Sequence, residues 1–196
     1  RHCIMSEEIR FGVIGCAQRG MQICAGISNA ASASVAMVMD TRQNILDDMA
    51  EFYHVPMSTL AEDVVTNPEI DAVYVAAPTY RHTELARMAA QEGKHVLICG
   101  PLADSLAQAH DLIDAFERQD LKLGMAYSAQ VDPAIRAARD LVRAGLLGEI
   151  VSVRMTSLEN VEEIWPKARK DGGGALMGQL LDQINAVHWV SGLEVE

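Results

Sequence analysis

Six consecutive residues, Gly15-Cys16-Ala17-Gln18-Arg19-Gly20, put glycines at the first and last places of a G-x-G-x-x-G spacing. In that spacing the first glycine allows a tight turn and the middle one lets backbone approach a pyrophosphate. The last lets a helix pack closely on a strand. Ala17 occupies the middle place and adds a methyl group where the phosphates should pass. Asp40-Thr41-Arg42 follows at about the twenty-residue interval that sets an acid on the adenosine ribose. A carboxylate there accepts from the 2′-hydroxyl and favours NAD, whereas Arg42 suits the 2′-phosphate of NADP or is a solvated first-turn residue. The competing reading of the glycine segment is an ordinary tight turn that holds no nucleotide.

Such chemistry needs a strand before the turn and a helix after it, and the flanking sequence supplies both. Ile9 to Ile14 reads as a buried strand, and a helix runs from the turn to Ser28. Further apolar strands are expected at Val35–Met39, Ala72–Ala76, His95–Ile98 and Leu121–Ala126. Helices are expected between them, from Gln43 to Tyr53, after a Thr59/Glu62 capping box, from His82 to Glu92, and from an Asp104 cap to Gln119. This βαβα rhythm predicts an α/β fold, a Rossmann-type parallel sheet with helices on both faces, over residues 8–127. Past Tyr127 the pattern changes. Asp132-Pro133 opens a helix that Gly145 stops, 149–156 alternates as a strand, and a last helix follows Gly172-Gly173-Gly174 from Ala175 to Val190. One strand and two helices cannot cover a sheet, so 128–196 reads as an incomplete α/β second domain.

Composition narrows the partners. A net charge of −11 over 196 residues argues against a nucleic-acid partner, which calls for clustered Lys and Arg. No apolar run is long enough to span a bilayer. Cys3, Cys16, Cys24 and Cys99 lack metal-ligand spacing, so no metal site is expected and reduced thiols in a cytoplasmic protein are the reading. Arg1-His2-Cys3-Ile4, ahead of Met5, reads as a leader or cloning remnant.

Several segments in order resemble the Gfo/Idh/MocA oxidoreductases. They are Phe11 to Cys16, Ala76-Ala77-Pro78-Thr79-Tyr80-Arg81-His82, Gly93 to Leu97 with Pro101-Leu102-Ala103, and Gly148 to Arg154. Gly172 to Leu176, with Trp189 and Gly192, completes the series. The resemblance runs from Glu8 across essentially the whole chain. It implies a nicotinamide cofactor, NAD or NADP with NAD favoured, bound by residues 15 to 20, Asp40-Thr41-Arg42, Ala77, Pro78 and Gly100. It further implies hydride transfer on a sugar-like or polyol-like small molecule, a homo-oligomer, and a cis peptide between Gly100 and Pro101.

The resemblance departs at the reacting centre. Where relatives carry Glu-Lys-Pro, this chain has Cys99-Gly100-Pro101, and Gly178 and Asp182 stand where an Asp and a His are usual. Positions four apart share a helix face, so both would address one substrate. Asp182 is the group that could replace the base, against the reading of a polar residue facing the rest of its domain. His82 could line the site or simply cap a helix. Lys170 and Asn185 could hold the substrate, though Lys167 and Lys170 also read as a solvated loop pair. Cys99 reads as a buried thiol rather than a nucleophile. The alternative functions are a non-catalytic dinucleotide-binding pseudoenzyme and a truncated family member.

Overall fold

The computed structural model describes residues 8–50, 52–156 and 180–193. They form two units, 1–125 and 126–196.

The first unit alternates strand and helix. Its order is β1 (Ile9–Ile14), α1 (Gln18–Ser28), β2 (Ala33–Met39), α2 (Gln43–Ala50), β3 (Met57–Ser58) and α3 (Ala61–Val65). It continues with β4 (Ala72–Val75), α4 (Thr79–Gln91), β5 (His95–Ile98), α5 (Leu106–Glu117) and β6 (Leu123–Met125). The six strands make one sheet in the order β3-β2-β1-β4-β5-β6, every pair parallel. Sequence order therefore reverses between β1 and β4, and ligands of open α/β sheets settle at such a switch point, beyond the carboxyl ends of the strands. Ile14, the last residue of β1, lies level with Met39 of β2 and Val75 of β4, so those ends are in register.

Both faces are covered, which is why β4 is buried at all four residues. Helix α4 presents Leu85, Ala86, Ala89 and Ala90 to the sheet, and small alanines let its backbone lie close. Leu112 and Phe116 of α5 fill the neighbouring space. Lys94 is 9% exposed, and its ammonium donates to the carbonyls of Asn67 (2.9 Å) and Ile70 (2.7 Å). It ties the segment that enters β4 to the turn that enters β5, so the Gly93-Lys94-His95 motif has structural work.

Several boundaries differ from expectation for local reasons. The Thr59/Glu62 box does not cap α3: the helix starts after Leu60, whose N–H donates to the Ser58 hydroxyl at 3.0 Å, and that hydroxyl also bonds the Asp63 carboxylate. Ser105, not Asp104, caps α5 by accepting from the Gln108 N–H at 3.3 Å. Helix α2 ends at Ala50, short of Tyr53. Helix α4 begins at Thr79, one turn earlier than expected, which puts His82 inside it.

In the second unit Asp132 accepts from the N–H groups of Ala134 (2.8 Å) and Ile135 (3.1 Å). With Pro133 at the first position it opens α6 (Pro133–Arg143) as expected. Helix α7 (Leu181–Ser191) ends at Gly192, φ 70°, a left-handed stop that suits glycine. Arg139 of α6 lies 3.9 Å from the centre of the Trp189 ring, a cation–π contact joining the two helices. The strand expected at 149–156 does not form. Among the described residues of this unit there is no other strand for it to pair with, and Val151 stands 94% exposed. The triple glycine, Lys167 and Lys170 lie outside the described residues.

Candidate nucleotide-binding site

At the end of β1 the chain turns through Gly15 at φ 91°, a left-handed conformation that side chains resist. A Cβ on Gly15 would stand 2.8 Å from the Ala76 carbonyl, and one on Gly20 would collide with the Gly15 carbonyl oxygen. Both glycines are thus demanded by the protein's own packing. Ala17 is exposed and takes the N-cap place of α1, extended at φ −65° and ψ −171°. No side chain caps α1 and no acid sits in its first turn. The positive end of the helix dipole is left for an external anion. Gln18 and Arg19 are exposed on that turn, and Arg19 Nη1 donates to the Cys99 sulfur at 2.9 Å.

Cys16 points away from the turn. It is fully buried, its Sγ donates to the Met39 carbonyl at 3.4 Å, and burial pushes its thiol up to about 12. Its backbone N–H donates to Asp40 Oδ2 at 3.0 Å, so the acid at the end of β2 fixes the turn at the end of β1. Asp40 is 4% exposed. Its Oδ1 also accepts from the N–H (3.0 Å) and Nε (2.9 Å) of Arg42, and its Oδ2 from Arg42 Nη2 at 3.0 Å. Burial alone would raise this carboxyl, but the bonds from Arg42 and Cys16 outweigh it and hold it below 3.8. Thr41 and the outer part of Arg42 remain exposed.

These residues border a cleft of about 570 Å³ at the switch point. Gly15, Ala17, Asp40, Thr41 and Arg42 form one side, and Ala76, Ala77 and Pro78 come from the end of β4. The sequence reading missed Thr59, Leu60 and Tyr80, which also line it. Thr59 and Leu60 follow β3, whose two residues carry no readable alternation.

His82 is 2% exposed, and neither ring nitrogen is free: Nδ1 lies 2.7 Å from the Pro101 carbonyl oxygen and Nε2 2.7 Å from that of Ala77. Gly100 is half-buried, and the Gly100–Pro101 peptide is cis, as expected.

In the second unit, half-buried Asp182 lies in the first turn of α7. Tyr127, which sequence reasoning passed over, responds to it: burial first, then the Asp182 charge, raises its hydroxyl above 10. The Asn185 amide oxygen accepts from Gln130 Nε2 at 2.8 Å. Lys170 and Gly178 lie outside the described residues. No cluster of metal-binding side chains occurs among the described residues, and no helix there is long and apolar enough to cross a membrane.

An all-parallel sheet in this order, with a glycine turn ending β1 and an acid ending β2, defines the first unit as a Rossmann-type nucleotide-binding domain. The chain belongs to the Gfo/Idh/MocA family, described as an oxidoreductase family with an NAD-binding Rossmann fold, which it matches over residues 9–127. It is 25% identical over 189 residues to a myo-inositol 2-dehydrogenase of Thermotoga maritima, covering 96% of this chain and 56% of that protein. It is 28% identical over 172 residues to a 1,5-anhydro-D-fructose reductase of Ensifer adhaerens, covering 86% and 52%. The fold is shared with scyllo-inositol dehydrogenase from Lactobacillus casei, solved with bound NAD(H) and scyllo-inositol. That likeness has TM-score 0.86 and 21% identity, over 97% of this chain and 58% of the other. The chain spans about half the length of the curated relatives it matches.

Proposed function

We propose that this chain carries the cofactor half of an NAD(P)-dependent oxidoreductase acting on a sugar-like or polyol-like small molecule. The observation that carries the reading is the cleft at the switch point, where an uncapped helix N-terminus and a buried acid sit at the spacing a dinucleotide requires. The cleft fits the cofactor's adenosine and pyrophosphate. Gly15, Ala17 and the backbone of Gln18 to Gly20 would hold the phosphates, with Cys16 contributing only backbone. Asp40, Thr41 and Arg42 would meet the adenosine ribose, and Ala77, Pro78 and Gly100 would border the nicotinamide half. The bound nicotinamide supplies the hydride acceptor.

On this reading residues 8–127 are the cofactor domain and 128–196 are part of a substrate and oligomerisation domain of a cytoplasmic homo-oligomer. Asp182 takes the proton from the reacting hydroxyl, and Lys170 and Asn185 orient the substrate. NAD is favoured, because Asp40 and not a small neutral residue ends β2.

A second reading rests on Gly100. With glycine where relatives carry the lysine, no ammonium stands there to stabilise an alkoxide. That favours a protein that binds the dinucleotide and turns over slowly or not at all.

Fluorescence titration with NADH and NADPH, followed by a dehydrogenase screen headed by inositols and anhydro-sugars, tests both readings. Saturable micromolar binding with NAD-dependent oxidation supports the enzyme, and saturable binding with no turnover supports the second reading. No binding of either nucleotide would sink both.

A further inference from the structure

We propose that His82 is a positioning residue of the nucleotide site, a two-ended tie that holds the turn after β4 against the turn after β5. The inference rests on the cofactor reading above, but its central observation is independent of any ligand. The ring lies between two backbone carbonyl oxygens, Ala77 at Nε2 and Pro101 at Nδ1, each 2.7 Å away. Ala77 lines the cleft and Pro101 follows Gly100, so the tie spans both turns that would flank the nicotinamide half.

Carbonyl oxygens only accept. A neutral imidazole carries one N–H and so satisfies one of them; the other nitrogen then turns a lone pair towards an oxygen. Only the imidazolium donates at both ends. A histidine buried merely as core filler explains the low exposure and one contact, but not two short contacts to acceptors. The ring thus has two working states: neutral, holding one turn, and protonated, holding both.

The surroundings set the balance. Burial disfavours the charged ring and lowers its pKa below 6.5, while the two carbonyls and Asp104, beyond β5, favour charge. Arg19, on α1, opposes it. A dinucleotide would bring its pyrophosphate to the first turn of α1, beside Arg19, and offset that opposition. Cofactor binding and proton uptake by His82 therefore reinforce each other. By reciprocity, a cofactor that raises the proton affinity of the ring is bound more tightly in acid.

The test combines ring NMR with binding. In protein labelled with nitrogen-15 at histidine, the His82 ring is assigned through its backbone and titrated from about pH 7.5 to pH 5, with and without NADH. The expected result is proton uptake below pH 6.5, both ring nitrogens protonated at the end point, and a midpoint raised by NADH. Fluorescence titration should show NADH bound about fivefold more tightly at the acid end, with His82→Gln weaker and its affinity flat with pH. A ring that keeps one neutral tautomer with and without NADH across that range overturns the tie. So does a folded His82→Gln protein with wild-type affinity and pH profile. If the wild type binds no NADH at any pH, the cofactor reading fails instead, and the ligand-free ring titration still decides the tie. Should His82→Gln not fold, the wild-type titrations stand alone and decide it.

Discussion

The Asp40 carboxylate accepts four hydrogen bonds, and three of them come from Arg42. A carboxylate offers about four accepting directions, so a ribose hydroxyl can enter only by displacing one of these donors. The Cys16 N–H holds the glycine turn in place, whereas the Arg42 guanidinium belongs to a side chain 53% exposed and is the donor free to leave. The pair therefore sits between the two cofactors. On the proposed cofactor reading, NAD would move Arg42 aside to reach Asp40, and NADP would draw Arg42 to its 2′-phosphate. Arg42→Ala should tighten NADH by a few-fold and weaken NADPH by about tenfold, the scale of one charge-assisted hydrogen bond. Parallel losses for both nucleotides in fluorescence titrations would remove Arg42 from cofactor choice. Asp40→Ala is the poorer probe, because it also strips the acceptor from the Cys16 N–H.

Gly20 packs against the carbonyl of Gly15, with no room for a Cβ. Gly20→Ala must push α1 away from the turn that its N-terminus serves. Overpacking of this kind costs about 1–3 kcal/mol, so thermal unfolding should fall by several degrees. NADH affinity should fall with it, since the first turn of α1 moves. An alanine variant with wild-type melting and binding would mean that the turn yields easily.

These boundaries show what a sequence exposes. Strands β1, β2, β4 and β5 were legible because buried parallel strands are unbroken apolar runs. Strand β3 was not, because two residues at a sheet edge carry no period. The alternation in 149–156 is real, yet alternation becomes a strand only beside a partner. At α5 the neighbouring hydroxyl of Ser105 took the cap from Asp104, since the two offer near-equal side chains and tertiary geometry chooses, while α3 starts after Leu60 with no side-chain cap at all. His82 did leave a signal. His82, Leu85, Ala86 and Ala89 fall at i, i+3, i+4 and i+7, which places the histidine on the apolar face of α4. Its two carbonyl partners come from turns far apart in sequence and left none.

Stability should fall in two stages as pH drops. The His82 pKa is depressed in the fold, so the unfolded chain binds the proton more readily. Its contribution is complete above about pH 6.5 and is lost as pH falls below that value. The Asp40 and Asp71 carboxyls are also depressed, Asp71 chiefly by hydrogen bonds from Arg10. Their contributions hold above about pH 4 and disappear as pH falls further. Urea unfolding between pH 7.5 and pH 3.5 should show both slopes, and His82→Gln should flatten only the upper one. A stability flat from pH 7.5 to pH 5 in the wild type would contradict the burial of a neutral His82.

Catalysis separates the two functional readings most sharply. Oxidation of an alcohol needs a group to take the hydroxyl proton, and it is eased by a cation that stabilises the developing alkoxide. On the proposed reading Gly100 stands at the place of the family's lysine, and a glycine supplies no cation. Asp182, in the first turn of α7, is the base on the proposed reading, and a carboxylate is a weak base for an alcohol. Polyol oxidation by the protein should therefore be slow or undetectable, even with NAD saturating. On that reading Gly100→Lys introduces the cation, and adding Gly178→Asp and Asp182→His introduces the acid and base that the family resemblance implies. On the enzyme reading the triple variant should gain about 100-fold or more over the parent, the range for one restored proton-transfer group. Steady-state NADH production on inositols and anhydro-sugars measures it directly. Fast oxidation by the unmodified protein, lost on Asp182→Asn, would show that a carboxylate alone has taken over the proton transfer and would end the pseudoenzyme reading. Tight NADH binding with no turnover in parent or triple variant would instead support the non-catalytic reading.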